Sequence, residues 1–418
     1  MTAVTLTART DRRLIRPHAR STRFVLLELT APPATQERER PPVNLAFVID
    51  RSGSMSGQKL ELAKTAVLDA IGRLGPRDRF SVVAYDDQVQ LVSESSLATP
   101  AAKNDAAMQV RGIGPGGTTN LSGGWFTGCE QVAMRLEAEA VNRCLLLTDG
   151  LANVGITDPT ELTNHVAALR DRGVSTTTFG VGADFDEILL QGMADAGGGH
   201  FYYIADGAQI RDHIASEVGE TLKVTARDVA IEVVHVEGLR VEAISPHRTQ
   251  GQGSRTVVSL GDLVADQVVE VVLRLTFPYG DLGRETGVII GLASDPAIAE
   301  RLSWTWADDA SSDRQPRDIT VDRAVARQFA ARARQEAVQR NRSGDYAAAR
   351  QALKSTAGRI RGYMARDPEL RVLVEELEGQ TEQFASPMAA PMLKEVHFAA
   401  ASVARSRDAS GRSLKRER

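Results

Sequence analysis

The spacing of apolar positions changes along the chain, and those changes divide it. Near the start, "AVTLTA" alternates apolar with polar residues and "TRFVLLELT" is rich in strand formers, so residues 3–30 predict β-strands. "APPATQERERPP" follows, a proline-rich, charged stretch that reads as a linker. From 43 to 222, continuous apolar runs alternate with helical spacing. "VNLAFVID", "RFSVVAYDD", "NRCLLLTDG", "VSTTTFGVG" and "HFYYIAD" predict strands. Leu60, Ala63, Val67, Ile71 and Leu74 share one helical face, and 121–139, 158–172, 185–196 and 207–222 also read as helices. Strands apolar on both faces and alternating with helices imply an α/β fold, a doubly wound, mainly parallel sheet. "AYDDQVQLV" predicts a tight antiparallel hairpin at one edge.

Residues 225–306 return to strand patterns, from "RDVAIEVVHVEG" to "RLSWTWA", and read as a β-sandwich. The N-terminal strands fit its edge, which makes the α/β unit an insertion between two sandwich segments. Beyond "DDASSDRQPRD", residues 318–341, 345–364 and 368–384 predict three helices. The organisation is therefore 1–40, strands of the sandwich; 41–223, the α/β domain; 224–307, the sandwich; 317–385, a helical bundle or hairpin; and 386–418, a polar, basic tail expected to be disordered.

Composition narrows the functional classes. At 418 residues the chain exceeds the usual size of one core. Its formal net charge of −4 supplies no basic field for nucleic acid. No window approaches a membrane span and the N-terminus has no apolar run of signal-peptide length, so a cytoplasmic location is expected. Cys129 and Cys144 form no ligand cluster and are expected to be reduced, buried and structural.

Three loops that leave predicted strands at the carboxyl edge, where open α/β sheets bind ligands, carry oxygen side chains. They are Asp50-Arg51-Ser52-Gly53-Ser54, "GPGGTTNLSGGW" with Thr118 and Thr119, and "LLLTDG" with Asp149. Carboxylates and hydroxyls are hard donors suited to Mg²⁺, or to Mn²⁺. Alternation along an extended loop aims Asp50, Ser52 and Ser54 the same way. Asp50 and Asp149 balance a divalent charge while the hydroxyls stay neutral. A coordination position left open would be filled by a carboxylate of another molecule.

This set resembles the metal-ion-dependent adhesion site of the von Willebrand factor type A domain family: an Asp-x-Ser-x-Ser loop, a distal Thr and a distal Asp. Asp50, Ser52 and Ser54 match the first element and Asp149 the third. "TNLSGGW" makes Thr119 the better match for the second, with Thr118 the fallback. "GVGADFDEILLQGMADAGGGHFYYI" is similar to the bacterial and inter-alpha-trypsin-inhibitor-like branches, and the resemblance spans 43–222. It implies a metal-dependent protein–protein interaction module in which an Asp or Glu of a partner protein completes the metal shell. It also implies a place for some members beside ATPases of the AAA+ class. Movement of the last helix on binding, known in several members, would here concern 207–222.

The rival readings are specific. A chelatase-like enzyme assembly could use the same site, but the sequence offers no nucleotide loop, no "GxSxG" elbow and no His near the metal loops, so no enzyme is expected. Ser54 or Ser56 could cap the helix that starts near Gly57. Asp86 and Asp87 suit a hairpin turn, and Asp184 and Asp186 a helix start. His200, Trp304 and Trp306 read as structural. Arg51 could draw an acidic partner toward the metal.

Overall fold

A computed structural model of the chain describes residues 4–34 and 40–416. The linker expected over 31–42 falls partly outside the described residues, as do the last two residues of the tail. The opening strands are β1 (Thr5–Thr10), β2 (Leu14–Ile15) and β3 (Thr22–Thr30). Next come β4 (Val43–Asp50), α1 (Gln58–Gly72), β5 (Arg79–Tyr85), β6 (Val89–Leu97), α2 (Pro100–Arg111) and α3 (Leu121–Ala133). They are followed by β7 (Val141–Thr148), α4 (Pro159–Asp171), β8 (Ser175–Val181), α5 (Glu187–Gly197), β9 (Gly198–Ile204) and α6 (Ile210–Thr221). Then β10 (Val224–His235), β11 (Arg240–Ala243), β12 (Arg248–Gln252), β13 (Arg255–Val264), β14 (Val268–Thr276), β15 (Glu285–Leu292) and β16 (Asp295–Trp306). The chain closes with α7 (Asp309–Arg314), α8 (Ile319–Arg342), α9 (Tyr346–Arg361), α10 (Pro368–Gln383) and α11 (Ala390–Ala404).

Two compact units share these elements. One is the continuous stretch Ala34–Arg227; the other joins Met1–Pro33 to Asp228–Arg418. In the continuous unit the strand order is β6-β5-β4-β7-β8-β9. All neighbours are parallel except β6, which turns back on β5 as the hairpin pattern predicts. Every residue of β4, β7 and β8 is buried, because these central strands are covered on both faces. Two glycines let α3 lie close to the sheet. A Cβ on Gly128 would stand 2.3 Å from Val48 Cγ2, and one on Gly124 would stand 2.4 Å from the Tyr85 ring.

The polar strand β8 is buried without orphaned groups. Ser175 and Thr178 donate to the carbonyls of Asn142 and Leu190. Thr176 accepts from Trp125 Nε1, and Thr177 donates to Glu217 Oε1. Glu217, brought by α6, also pairs with Arg143 of β7 at 2.6 Å, both side chains being buried. Cys129 and Cys144 are buried and unbridged. The helix α2 is absent from the sequence reading. Thr99 caps it and Pro100 starts it, yet it buries only Ala106 and Val110, too few positions to register as a stripe.

In the other unit, the sheets run β1-β3-β14-β11 and β12-β13-β10-β15-β16-β2. The N-terminal strands thus pair with strands found after residue 228: β3 runs antiparallel to β14, and β2 lies beside β16. Trp304 and Trp306 are buried as core side chains, and Trp304 Nε1 donates to Thr10 Oγ1 and to the Arg12 carbonyl. The start of α8 seats Val321 and Val325 against Leu26 and Val272, with Phe329 edge-on to Phe24. Further along, α8, α9 and α10 share a core that includes Val338, Leu353, Ile360, Leu377 and Phe384.

The tail corrects the expectation of disorder. Residues 390–404 form α11, whose Leu393 enters the helical core while Ala400 and Ala404 meet Ala331 of α8. Alanine is a strong helix former that lets helices approach closely, but it adds little to an apolar count. Beyond α11, Ser406 and Arg407 are buried and Lys415 bridges to Gln267.

Candidate metal centre

The three loops singled out in the sequence meet at the carboxyl ends of β4 and β7. Asp50 ends β4 and is fully buried. Its Oδ1 accepts the Ser52 N–H at 2.8 Å, which folds the loop back over the carboxylate, and its Oδ2 accepts from Thr148 Oγ1 at 2.7 Å. Among the described residues no Lys, Arg or His pairs with Asp50. Ser52 Oγ lies 3.2 Å from Ser54 Oγ, which donates to Asp149 Oδ1 at 2.6 Å. One chain of contacts therefore joins four of the five sequence-chosen residues.

The fifth arrives through the loop before α3. Thr119 is buried and Thr118 exposed, so Thr119 alone faces inward. A Cβ on Gly150 would lie 3.3 Å from Thr119 Oγ1 and 3.7 Å from Ser54 Oγ, which puts both hydroxyls beside that glycine. Asn120 caps α3 by accepting the Gly123 N–H, so the Thr119 hydroxyl is not consumed as a cap. Its backbone N–H is held by Asn153 Oδ1 at 2.9 Å.

Several residues outside the chosen five hold this arrangement. Asp86, at the end of β5, accepts the Gly117 N–H through Oδ2, and its carbonyl accepts the Asn120 N–H. A Cβ on Gly116 would stand 1.6 Å from Asp86 Oδ2, so the loop can pass there only as glycine. Asp86 thus does more than the turn expected of it, although its Oδ1 also accepts from Gln88 N–H as a turn would. Arg51 is directed to Asp86 Oδ1 at 3.1 Å and Gln90 Oε1 at 3.0 Å, so its charge is compensated inside the protein. Lys59, in the first turn of α1, holds Asp149 Oδ2 at 2.5 Å. The sequence reading did not single it out; its partner is ninety positions away and no local signal reveals it.

The other rival readings resolve individually. Gly57, with φ of 78°, precedes α1 and no side chain caps it; Ser54 is occupied with Asp149 instead. Asp186 caps α5 through the N–H groups of Ile188 and Leu189, as a helix-start residue does. His200 Nδ1 lies 3.0 Å from Glu217 Oε2 at the opposite ends of the strands.

Electrostatically the pocket favours a cation. Burial raises the Asp50 pKa above the usual 3.8 and the Asp149 charge adds to it, against hydrogen bonds from Ser52 and Thr148. A buried carboxylate without an ion pair among the described residues, beside three hydroxyls and a second carboxylate, is the donor chemistry of a hard divalent ion. The residues present fit such an ion.

Comparison with known proteins agrees with this topology. The family model of the von Willebrand factor type A domain matches residues 44–216. Over 200 residues the chain is 31% identical to the uncharacterised protein YfbK of Escherichia coli, covering 47% of this chain and 34% of that one. Over 215 residues it is 30% identical to inter-alpha-trypsin inhibitor heavy chain H4 of Sus scrofa, covering 48% and 23%. The chain therefore spans about a third or less of the length of these two relatives. A solved structure, von Willebrand factor type A from Catenulispora acidiphila, superposes with a TM-score of 0.74 over 95% of this chain and 96% of that one, at 18% identity. That likeness extends the shared fold across both units, including the C-terminal helices. No helix among the described residues is long and apolar enough to cross a membrane. By sequence match and by topology, residues 44–216 are similar to a von Willebrand factor type A domain.

Proposed function

We propose that this chain is a divalent-metal-dependent protein-interaction module rather than a catalyst. Asp50, Ser52, Ser54, Thr119 and Asp149 would hold Mg²⁺ or Mn²⁺, and an Asp or Glu of a partner protein would complete the shell. One observation carries the reading: Asp50 is buried with no cationic partner among the described residues, beside hydroxyl oxygens from two loops. A bound ion would supply Lewis-acid attraction for the partner's carboxylate. The chain's own part is to orient the donors: Thr148 and the Ser52 N–H fix the Asp50 carboxylate, Asn153 holds the Thr119 backbone, and Asp86 staples the glycine loop in place. The two sheets of the other unit, as a β-sandwich holding the α/β domain as an insertion, would serve as scaffold.

Calorimetric titration tests the reading. Wild type should bind Mn²⁺ with a measurable heat that Asp50→Ala removes. Equal heats for the two proteins would sink the proposal. Capture of a partner from the native host should likewise be lost in EDTA.

A further inference from the structure

Lys59 has no assigned part in the five-residue site, yet it makes the site's only ion pair among the described residues. Its Nζ lies 2.5 Å from Asp149 Oδ2 and 3.4 Å from the Ser54 carbonyl. Asp149 is thereby engaged on both oxygens, Ser54 Oγ on one and Lys59 on the other. The lysine side chain passes close to two glycines. A Cβ on Gly207 would lie 3.7 Å from Lys59 Cγ, and one on Gly182 3.8 Å from Nζ. The side chain is nonetheless 37% exposed while Asp149 is fully buried, so Lys59 reaches from the surface to the buried carboxylate.

The charge count shows what this does. Asp50 and Asp149 contribute two negative charges and Lys59 one positive, a net of minus one. A divalent ion turns that into plus one. Without Lys59 the same ion would leave the pocket neutral. The lysine therefore opposes the metal, since like charges a few ångströms apart repel. It also leaves the loaded pocket positive, and only an anion corrects that. Arg51 cannot do the same, because Asp86 already neutralises it.

We propose that Lys59 is a specificity-determining residue of this site: it weakens the hold on the metal and makes the loaded site demand a carboxylate ligand, to which its exposed ammonium also donates. The inference rests on the metal-binding reading given above.

The test uses the full chain, with Mn²⁺ alone and then acetate as probes. Free Mn²⁺ is counted by electron paramagnetic resonance, and acetate binding is read as loss of water-proton relaxation enhancement on the loaded protein. Lys59→Gln keeps a donor to Asp149 and removes the charge; Lys59→Arg keeps the charge. Lys59→Gln should bind Mn²⁺ about tenfold more tightly than wild type, a figure discounted for the partial exposure of the ammonium. Its loaded form should bind acetate several-fold more weakly, while Lys59→Arg stays within about twofold of wild type in both. Mn²⁺ affinity unchanged or weakened in Lys59→Gln, or acetate binding unchanged, overturns the role of Lys59 while leaving the metal site standing. Failure of wild type to bind Mn²⁺ better than Asp50→Ala removes the metal reading and this inference with it.

Discussion

Arg143 and Glu217 offer the sharpest test of what holds α6 to the sheet. Both side chains are buried, at 3% and 0% exposure, and Nη1 meets Oε1 at 2.6 Å. Arg143→Met keeps the bulk of the side chain and deletes the charge, so the buried Glu217 carboxylate loses its arginine partner. Removing one partner of a buried pair costs about 3–5 kcal/mol. Here Thr177 and Tyr202 still donate to the carboxylate at 2.9 and 2.8 Å, and His200 Nδ1 stays 3.0 Å from Oε2, which places the expectation at the lower end, about 3 kcal/mol. For a unit of this size that lowers Tm by about 6–12 °C. Adding Glu217→Gln removes the buried charge while its amide offers one oxygen to accept from, and one NH2 to donate to, the Thr177 and Tyr202 hydroxyls, so the double variant should recover at least about half of the loss. Calorimetry with urea unfolding reads all four proteins of this cycle. The reasoning fails if Arg143→Met costs less than about 1 kcal/mol, or if the double variant is as unstable as the sum of the singles.

Two further outcomes follow from packing and protonation. Gly128→Val forces a side chain into Val48 Cγ2, 2.3 Å from the position of its Cβ, and should lower the urea midpoint by an amount equal to about 3 kcal/mol or more, since α3 cannot leave the sheet without exposing Trp125. Asp78 is buried, which alone would raise its pKa, but hydrogen bonds from Arg40, the Gly75 N–H and the Val43 N–H, with the Arg40 charge, hold it below the usual 3.8. Its contribution is therefore complete above that ordinary value and lost as pH falls through the depressed one; Asp78→Asn should flatten this acid limb of the stability–pH curve while lowering stability at pH 7.

Legibility followed the range of the interactions. Asp50, Ser52 and Ser54 stand within five positions of one another, and their alternation on a loop after an apolar run is a local pattern. Asp149 was readable because it follows a strand whose character was itself clear, and Thr119 because it stands just before a helix read from position 121. Asp86 was read as a turn because its contact with Gly117 depends on which strand lies beside β4. Arg51 was read as a free cation because nothing local announced its pairing with Asp86. The helix α11 was missed for another reason: its buried face mixes Leu393, Phe398 and three alanines with Lys394, His397 and Ser402, so no apolar stripe marks it.

By itself, the sequence determined the alternation of strands and helices from 43 to 222, the edge at which the oxygen-bearing loops emerge, and the donor types they carry. Periodicity and residue chemistry are properties of neighbours along the chain. Only the tertiary structure decided which charges those donors meet. Lys59 reaches Asp149, Arg51 is drawn off by Asp86, and Asp50 keeps no ion pair among the described residues, because strand order and helix placement set distances between residues far apart in sequence. Coulomb energy depends on those distances and on burial, and neither is written in a local pattern.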